Sequence, residues 1–358
     1  MWPQVTSFAN LLGAARAAAL GKRSRPDVAR FLFNLEPHLL ALRGELLNGT
    51  YRPGKYETFT VFDPKERRIA KAPFIDRVVH HALTRVVEPI FERRFSPYSF
   101  ACRKGMGTHA ALDVAKKGVR HCRFALKLDI RKYFASIDQS ILNQALARVV
   151  KCRPTLQLAA MIIDGFETEF GPLEYFPGDD LLSPLEHKVG LPLGNQTSQF
   201  FANVYLDVID QMVQHQMRPA FFVRYVDDLL LFDDSKERLR EMLAEIGTAL
   251  EPLRLRLHPS KSRIHRCGDG VSFLGWRLFP DRTRLGRDNV VRFQRRMKEL
   301  QQDYAANRID SGCVRQSVRA WIGHAGYGNT WLLRENLFAR FQFRRGVRSV
   351  AVGVSEQE

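Results

Sequence analysis

Two adjacent aspartates interrupt an apolar run in Phe222-Val223-Arg224-Tyr225-Val226-Asp227-Asp228-Leu229-Leu230-Leu231-Phe232, and no other stretch constrains the fold as much. Alternating and β-branched residues on both sides predict a hairpin with the acidic pair at its turn. Buried strands tolerate unpaired carboxylates poorly, because each costs several kcal/mol or takes up a proton, so something cationic should neutralise the pair. A divalent metal is the simplest answer; a solvated Asp-Asp turn is the alternative.

A further acid arrives in Phe124-Ala125-Leu126-Lys127-Leu128-Asp129-Ile130-Arg131-Lys132-Tyr133-Phe134, where an alternating strand ends on Asp129 and an aromatic pair follows. Asp138 reads as the N-cap of a helix over Gln139 to Val149 rather than as a ligand. Two strands that each deliver an acid to one sheet edge make a site for two hard cations about 3.5–4 Å apart, the arrangement that clamps the attacking and leaving oxygens of phosphoryl transfer. That is polymerase chemistry.

Together these segments resemble the catalytic motifs of reverse transcriptases. Tyr225-Val226-Asp227-Asp228 resembles the family's Tyr-x-Asp-Asp box, Asp129 its first palm aspartate, and Gly190-Leu191-Pro192-Leu193-Gly194-Asn195-Gln196-Thr197-Ser198-Gln199 the template–primer and nucleotide loop. Pro64 to Arg68 and Asp76 to Leu83 are similar to the fingers, Ser99 to His109 to the loop that follows, and Phe273-Leu274-Gly275-Trp276 to the primer grip. Group II intron enzymes usually carry Gln-Gly where this chain has Leu193-Gly194, and Ser-Pro where it has Ser198-Gln199. The Gly-x-x-x-Ser-Gln form, with Ala320-Trp321-Ile322-Gly323-His324-Ala325 further on, is similar to the reverse transcriptases of diversity-generating retroelements. That branch copies a template-repeat RNA with errors at adenines and works with a small basic accessory protein that forms an oligomeric helical barrel. Related bacterial enzymes serve retrons and antiviral defence with a dedicated noncoding RNA. A nucleic-acid-binding scaffold without catalysis is a third reading, against which the three aspartates argue.

The resemblance implies an α/β (α+β) right-hand polymerase: an N-terminal helical extension over 1–50, fingers over 51–125 with part of 139–188, an antiparallel-sheet palm over 126–280, and a helical thumb with a short tail over 281–358. It implies that Asp129, Asp227, Asp228 and the Ile130 carbonyl hold two magnesium ions, with manganese able to substitute. Arg67, with Lys65, is expected to reach the triphosphate of a deoxynucleotide, Arg68 facing the other way. Phe134 stands where the family puts an aromatic that blocks the ribose 2′-hydroxyl; a core aromatic is the alternative. Lys261 matches a lysine that some of these polymerases use as a general acid at the leaving pyrophosphate; a surface lysine is the alternative. Gly194, Gln199 and Leu193 complete the expected nucleotide pocket. Leucine offers shape where glutamine would offer a hydrogen bond, which relaxes selection or simply packs under the base. Template RNA and primer or cDNA are expected on Arg103, Phe273, Leu274, Gly275, Trp276, Arg295 and Arg319.

Composition agrees independently. The formal net charge is +17, from Lys+Arg 55 against Asp+Glu 38, which suits a phosphate-binding protein. With 358 residues, 45% of them hydrophobic, the chain can bury two or three lobes. No apolar run reaches membrane length, and five scattered cysteines without a Cys-x-x-Cys predict neither a zinc knuckle nor disulfides, so a reducing cytoplasm is expected. Helices are expected over Phe8 to Leu20, Val28 to Leu47, Phe74 to Phe91, Val290 to Asn307, Ser311 to His324 and Trp331 to Phe341. Strands are expected near Tyr56–Val61 and Arg68–Ala72, and a loop with a short strand over Gly165 to His187. The cations of Gly21 to Pro26 sit on RNA or simply solvate a turn.

Overall fold

Short apolar or alternating runs bounded by turns form the strands β1 (Glu57–Phe62), β2 (Glu66–Lys71), β3 (Phe124–Asp129), β4 (Phe221–Tyr225), β5 (Asp228–Asp233), β6 (Arg263–Arg266), β7 (Val271–Phe273), β8 (Trp276–Leu278) and β9 (Thr283–Leu285). The computed structural model describes residues 1–62, 66–166 and 174–345. β1 and β2 pair as a ribbon, the order β4-β5-β3-β6 makes a four-stranded sheet, and β7-β8-β9 makes a third. The pairings β1 with β2, β3 with β5, β4 with β5, β7 with β8 and β8 with β9 are all antiparallel. Helix and antiparallel sheet together give the expected α/β polymerase class.

The chain forms two compact units, Met1–Gly118 with Phe124–Ile264, and Val119–Arg123 with the chain from His265 onward. In the first unit β5 is buried on both faces from Leu229 to Asp233, so it reads as a continuous apolar run rather than an alternating one. Leu126, Leu128, Leu229 and Leu231 share one core with Phe200, Phe201 and Tyr205 of the helix Gln196–Met212 and with Leu239, Met242 and Ile246 of the helix Lys236–Leu250. Each such aliphatic side chain contributes about 1.5–3 kcal/mol by leaving water. The helix Phe74–Glu92 buries Val78, Val79, Ala82, Leu83 and Val87 in that same core, which also takes Leu11, Ala14 and Ala15 of the helix Phe8–Ala18.

Two expectations change on this scaffold. The helix expected from Val28 to Leu47 is two helices, Pro26–Phe33 and Leu35–Asn48, because Asn34 leaves the helical region at φ −112 and ψ 47. Within Gly165 to His187, residues 167–173 lie outside the described residues, and the described part contains the helix Ser183–Glu186 instead of a strand. There Asp180 Oδ1 accepts from the backbone of Leu182 at 2.9 Å and Ser183 at 2.8 Å, which closes a turn that no strand ladder can share.

In the second unit the helices Arg287–Ala305, Ser311–Ala325 and Trp331–Phe338 enclose Phe293, Met297, Leu300 and Leu337. Phe293 stacks on Trp321 with centroids 3.8 Å apart.

Candidate active site

The acids meet by register. Asp129, the last residue of β3, stands directly opposite Asp228, the first of β5, and Tyr225 of β4 pairs with Asp228 from the other side. Val226 and Asp227 are therefore the two-residue hairpin loop. Val226 takes φ +58, a left-handed conformation that a β-branched residue adopts at a cost of about 1–3 kcal/mol and keeps only where its surroundings enforce it. The enforcing group is Arg224. Its Nη1 donates to the Val226 carbonyl at 3.0 Å and to Asn203 Oδ1 at 3.2 Å, while Nε and Nη2 grip Asp210 at 2.7 and 2.6 Å. Both partners of this ion pair are fully buried. Asn203 and Asp210 lie on the helix Gln196–Met212, so one guanidinium joins that helix to the acidic turn.

Backbone bonds fix the rest of the turn. Ile130 N donates to Asp227 O at 3.3 Å. Ile130 also bridges Leu257, but the bonds of that bridge run from Arg131 N to Arg256 O and from His258 N to Asp129 O, so the pairing leaves the Ile130 carbonyl unused. Lys261 Nζ donates to Asp129 Oδ1 at 2.9 Å, and Lys127 Nζ stands 3.9 Å from Asp228 Oδ1. Burial, then the like charges of Asp228 and Asp129, push the Asp227 carboxyl up to about 6. Burial, reinforced by Asp129 and opposed by Lys127 and Lys261, also raises Asp228. Crowding of carboxylates in a partly dehydrated place thus disfavours the charge of Asp227 and Asp228, and a hard cation is the ligand that reverses this. Among the described residues no group of three or more His, Cys, Asp or Glu side chains is placed to hold a metal ion by itself. Magnesium sites in nucleotide enzymes use one or two carboxylates and leave the remaining positions to phosphate and water, so the donor set of carboxylates and one carbonyl fits such an ion.

Around the acids, Leu191 N donates to Phe134 O at 2.8 Å and Ala70 N to Leu193 O at 3.0 Å. The loop Gly190 to Gln199 thus touches the half-buried Phe134 on one side and β2 on the other. Gly194 takes φ +108, and a Cβ there would stand 2.9 Å from Ile69 Cγ2, so glycine is required. Ile69 faces this loop; Arg67, two residues earlier on β2, lies on the same strand face and is exposed, whereas Arg68 lies on the other. Lys65 lies outside the described residues. Gln199 is exposed on the first turn of its helix. Asp138 caps the helix Gln139–Val149 as expected, accepting from Ser140 N at 2.9 Å and Ile141 N at 3.0 Å, and it also pairs with His187.

Arg103 does not face a ligand. It is buried, with Nε on Glu92 at 2.9 Å and Nη1 on the carbonyls of Ser96 and Ser99 at 2.6 Å each, so it ties its loop to the preceding helix. Phe273 and Trp276 are buried too, with Trp276 against His324 and Tyr327, which leaves half-buried Leu274 and exposed Gly275 at the surface of that hairpin. Arg295 and Arg319 are exposed on the second unit's helices. Sequence reasoning missed Arg224 with Asp210, and Lys127. The signal was present: an arginine inside an apolar strand demands a buried acid.

Residues 62–278 match the family model described as reverse transcriptase (RNA-dependent DNA polymerase). The chain is 28% identical to protein YkfC of Escherichia coli, covering 72% of this chain and 75% of that one. It is 26% identical to the group II intron-encoded protein LtrA of Lactococcus lactis over 47% of this chain and 27% of that one, and 28% identical to nuclear intron maturase 2 of Arabidopsis thaliana over 34% and 19%. The chain thus spans a minor part of these intron-related proteins. No helix among the described residues is long and apolar enough to cross a membrane.

Proposed function

Because the chain belongs to the reverse transcriptase family and is an RNA-directed DNA polymerase, we propose that it copies an element-encoded RNA into cDNA at the site built on Asp129, Asp227 and Asp228. The observation that carries this reading is the register of β3 on β5, with Asp129 directly opposite Asp228 and Asp227 in the adjoining turn. The carboxylates and the Ile130 carbonyl would hold two magnesium ions, for which manganese can substitute. When bound, such ions acidify the primer 3′-hydroxyl and neutralise the developing pyrophosphate. The chain's own residues position the reactants, and that accounts for most of the rate. Arg67, on the loop-facing side of β2, and Lys65 bind the triphosphate; a guanidinium fork matches its oxygens. Phe134 walls off the 2′-hydroxyl, and Leu193, Gly194 and Gln199 line the base and sugar. Lys261 pairs with Asp129 and is within the same cluster from which a proton can pass to the leaving pyrophosphate. Arg295, Arg319, Leu274 and Gly275 carry template and primer; Arg103 has a structural task instead.

The Leu193 to Gln199 loop supports an error-prone enzyme of a diversity-generating retroelement, working with a small basic accessory oligomer. The likeness to intron-encoded proteins favours a second reading, in which the template is an intron-like RNA, and a retron-like or defence enzyme with its own noncoding RNA is the third. Asp227→Asn and Asp228→Asn should abolish RNA-templated extension with wild-type melting, because each removes metal-binding charge at constant volume; normal synthesis by either would sink the site assignment. Sequencing cDNA made from an RNA with all four template bases, with the partners present, tests the role. Misincorporation opposite adenine that falls in Leu193→Gln is the expected result, and uniformly low error at adenine favours the other two readings.

A further inference from the structure

The sheet β7-β8-β9 separates its residues cleanly. Val271, Phe273, Trp276, Leu278, Thr283 and Leu285 are buried, whereas Ser272, Arg277 and Arg284 are exposed on the other face. On that face Arg277 stands directly opposite Arg284 across the antiparallel ladder. Like charges so placed destabilise a sheet. A third cation joins them at the turn between β8 and β9, where Phe279 N donates to Arg282 O at 2.8 Å. The guanidinium carbons of Arg282, Arg277 and Arg284 stand 4.7, 5.4 and 5.7 Å from the centroid of the Phe279 ring. Gly270 leaves room for the ring: it has φ +86, and a Cβ there would lie 2.6 Å from it. Counter-charge is short. One carboxylate serves two of the three cations: Asp281 pairs with Arg282 at 2.6 Å and feels the charge of Arg284 without a direct bond to it, while Arg277 donates to the Asp269 carbonyl at 2.9 Å.

We propose that this face is a phosphate-binding platform for the sugar–phosphate backbone of the nucleic acid the enzyme holds, additional to the site of the three aspartates and resting on the polymerase reading for its ligand. The Cα atoms of opposed residues in such a ladder are about 5 Å apart, so both forks can grip one phosphate. Guanidinium groups already crowd the ring of Phe279, which therefore orients cations instead of stacking a base. The platform reads charge and shape, with no base preference. An anion also relieves the repulsion between Arg277 and Arg284, which explains why an unfavourable pair persists on an exposed face.

The test uses the full chain and an RNA–DNA hybrid, with fluorescence anisotropy between 50 and 200 mM salt and neither nucleotide nor divalent cation. The double variant Arg277→Gln/Arg284→Gln should lower the slope of log affinity against log salt by about one for the phosphate lost, equally on hybrids of different sequence. Its free form should melt at or above the wild-type temperature, because the opposed charges are gone. Arg284→Lys should keep the slope and lose affinity, since it keeps charge without the planar fork. An unchanged slope and affinity in the double variant overturns the platform and would leave the face to an acidic protein. A fall in melting temperature overturns it as well, by making the stack structural. Failure of the polymerase reading is separate: wild-type protein would then make no DNA, whereas the salt slopes decide the platform without any synthesis.

Discussion

The hairpin β4–β5 and the sheet β7-β8-β9 are both antiparallel, and both carry arginine, Arg224 on the edge strand β4 and Arg277 on the central strand β8, yet they treat its charge in opposite ways. Arg224 is fully buried, and its bonds reach Asp210, Asn203 and the Val226 carbonyl within the protein. Arg277 and Arg284 face water, and each has the other as its cross-strand neighbour. A dry charge must find its partner inside the fold, and what it then supplies is geometry. A wet charge is cheap to leave unmatched and remains available to a ligand. The first unit repeats the dry rule at His80, which burial pushes down to about 3 and thereby keeps neutral.

The largest effect expected from this contrast is on Arg224. Arg224→Met leaves Asp210 buried and unpaired and should cost about 3–5 kcal/mol in denaturant unfolding. Adding Asp210→Leu should recover most of that stability, while extension stays depressed because the Val226 carbonyl has lost its donor. Full recovery of extension in the double variant would make the pair a stability element without a positioning role.

His80 gives the next largest effect. Its folded-state pKa is depressed from an unfolded value near 6.5, so the unfolded chain binds more protons between pH 6.5 and about 3, and stability rises with pH across that window. Stability should be complete above pH 6.5 and lower by about 2 kcal/mol at pH 5 from this group alone. His80→Leu should flatten that segment of the profile; an unaltered profile would mean that His80 is not the group responsible.

Nearer the acids the same dryness makes shape matter. Phe134→Ala should raise ribonucleotide use relative to deoxynucleotide by about tenfold, worth about 1.4 kcal/mol, and single-nucleotide extension with both substrates measures it. An unchanged ratio returns Phe134 to the core. The smallest effect is at Gly194, where Ala must displace Ile69 and accept a positive-φ backbone at a cost of about 1 kcal/mol; nucleotide KM should rise a few-fold while the melting temperature falls by only a few degrees. A large drop in melting instead would mean that the loop's contact with β2 serves folding more than binding.

How much of this was legible depended on how far apart the partners lie in sequence. Period-two alternation broken by acids located Asp129, Asp227 and Asp228, and a polar residue before a helix located Asp138 as a cap, because those signals are local. Arg224 was visible as a charge in an apolar strand, but Asp210 lies on a helix that precedes the strand, and only the packed core brings them together. Arg103 shows the reverse. An arginine in a Gly-rich loop looks like a phosphate ligand until Glu92, on the helix before it, closes on the guanidinium. The break at Asn34 went unseen because one residue leaving the helical region does not disturb the apolar spacing on either side. Phe279 and its three arginines were equally hidden, since the turn that gathers them carries no periodic signal.

Asp129, Asp227 and Asp228 are proposed as one divalent-cation site, and manganese-dependent thermal melting addresses that assignment without relying on catalysis. At pH 7.5 manganese should raise the melting temperature of wild-type protein, by about 2.7 kcal/mol of stability at a hundred times its Kd. The gain should weaken below about pH 6, where Asp227 takes up a proton and competes with the metal, and it should vanish in Asp129→Asn and Asp227→Asn. Equal manganese stabilisation of wild type and both variants would mean that the ion binds elsewhere and that the three aspartates do not share it.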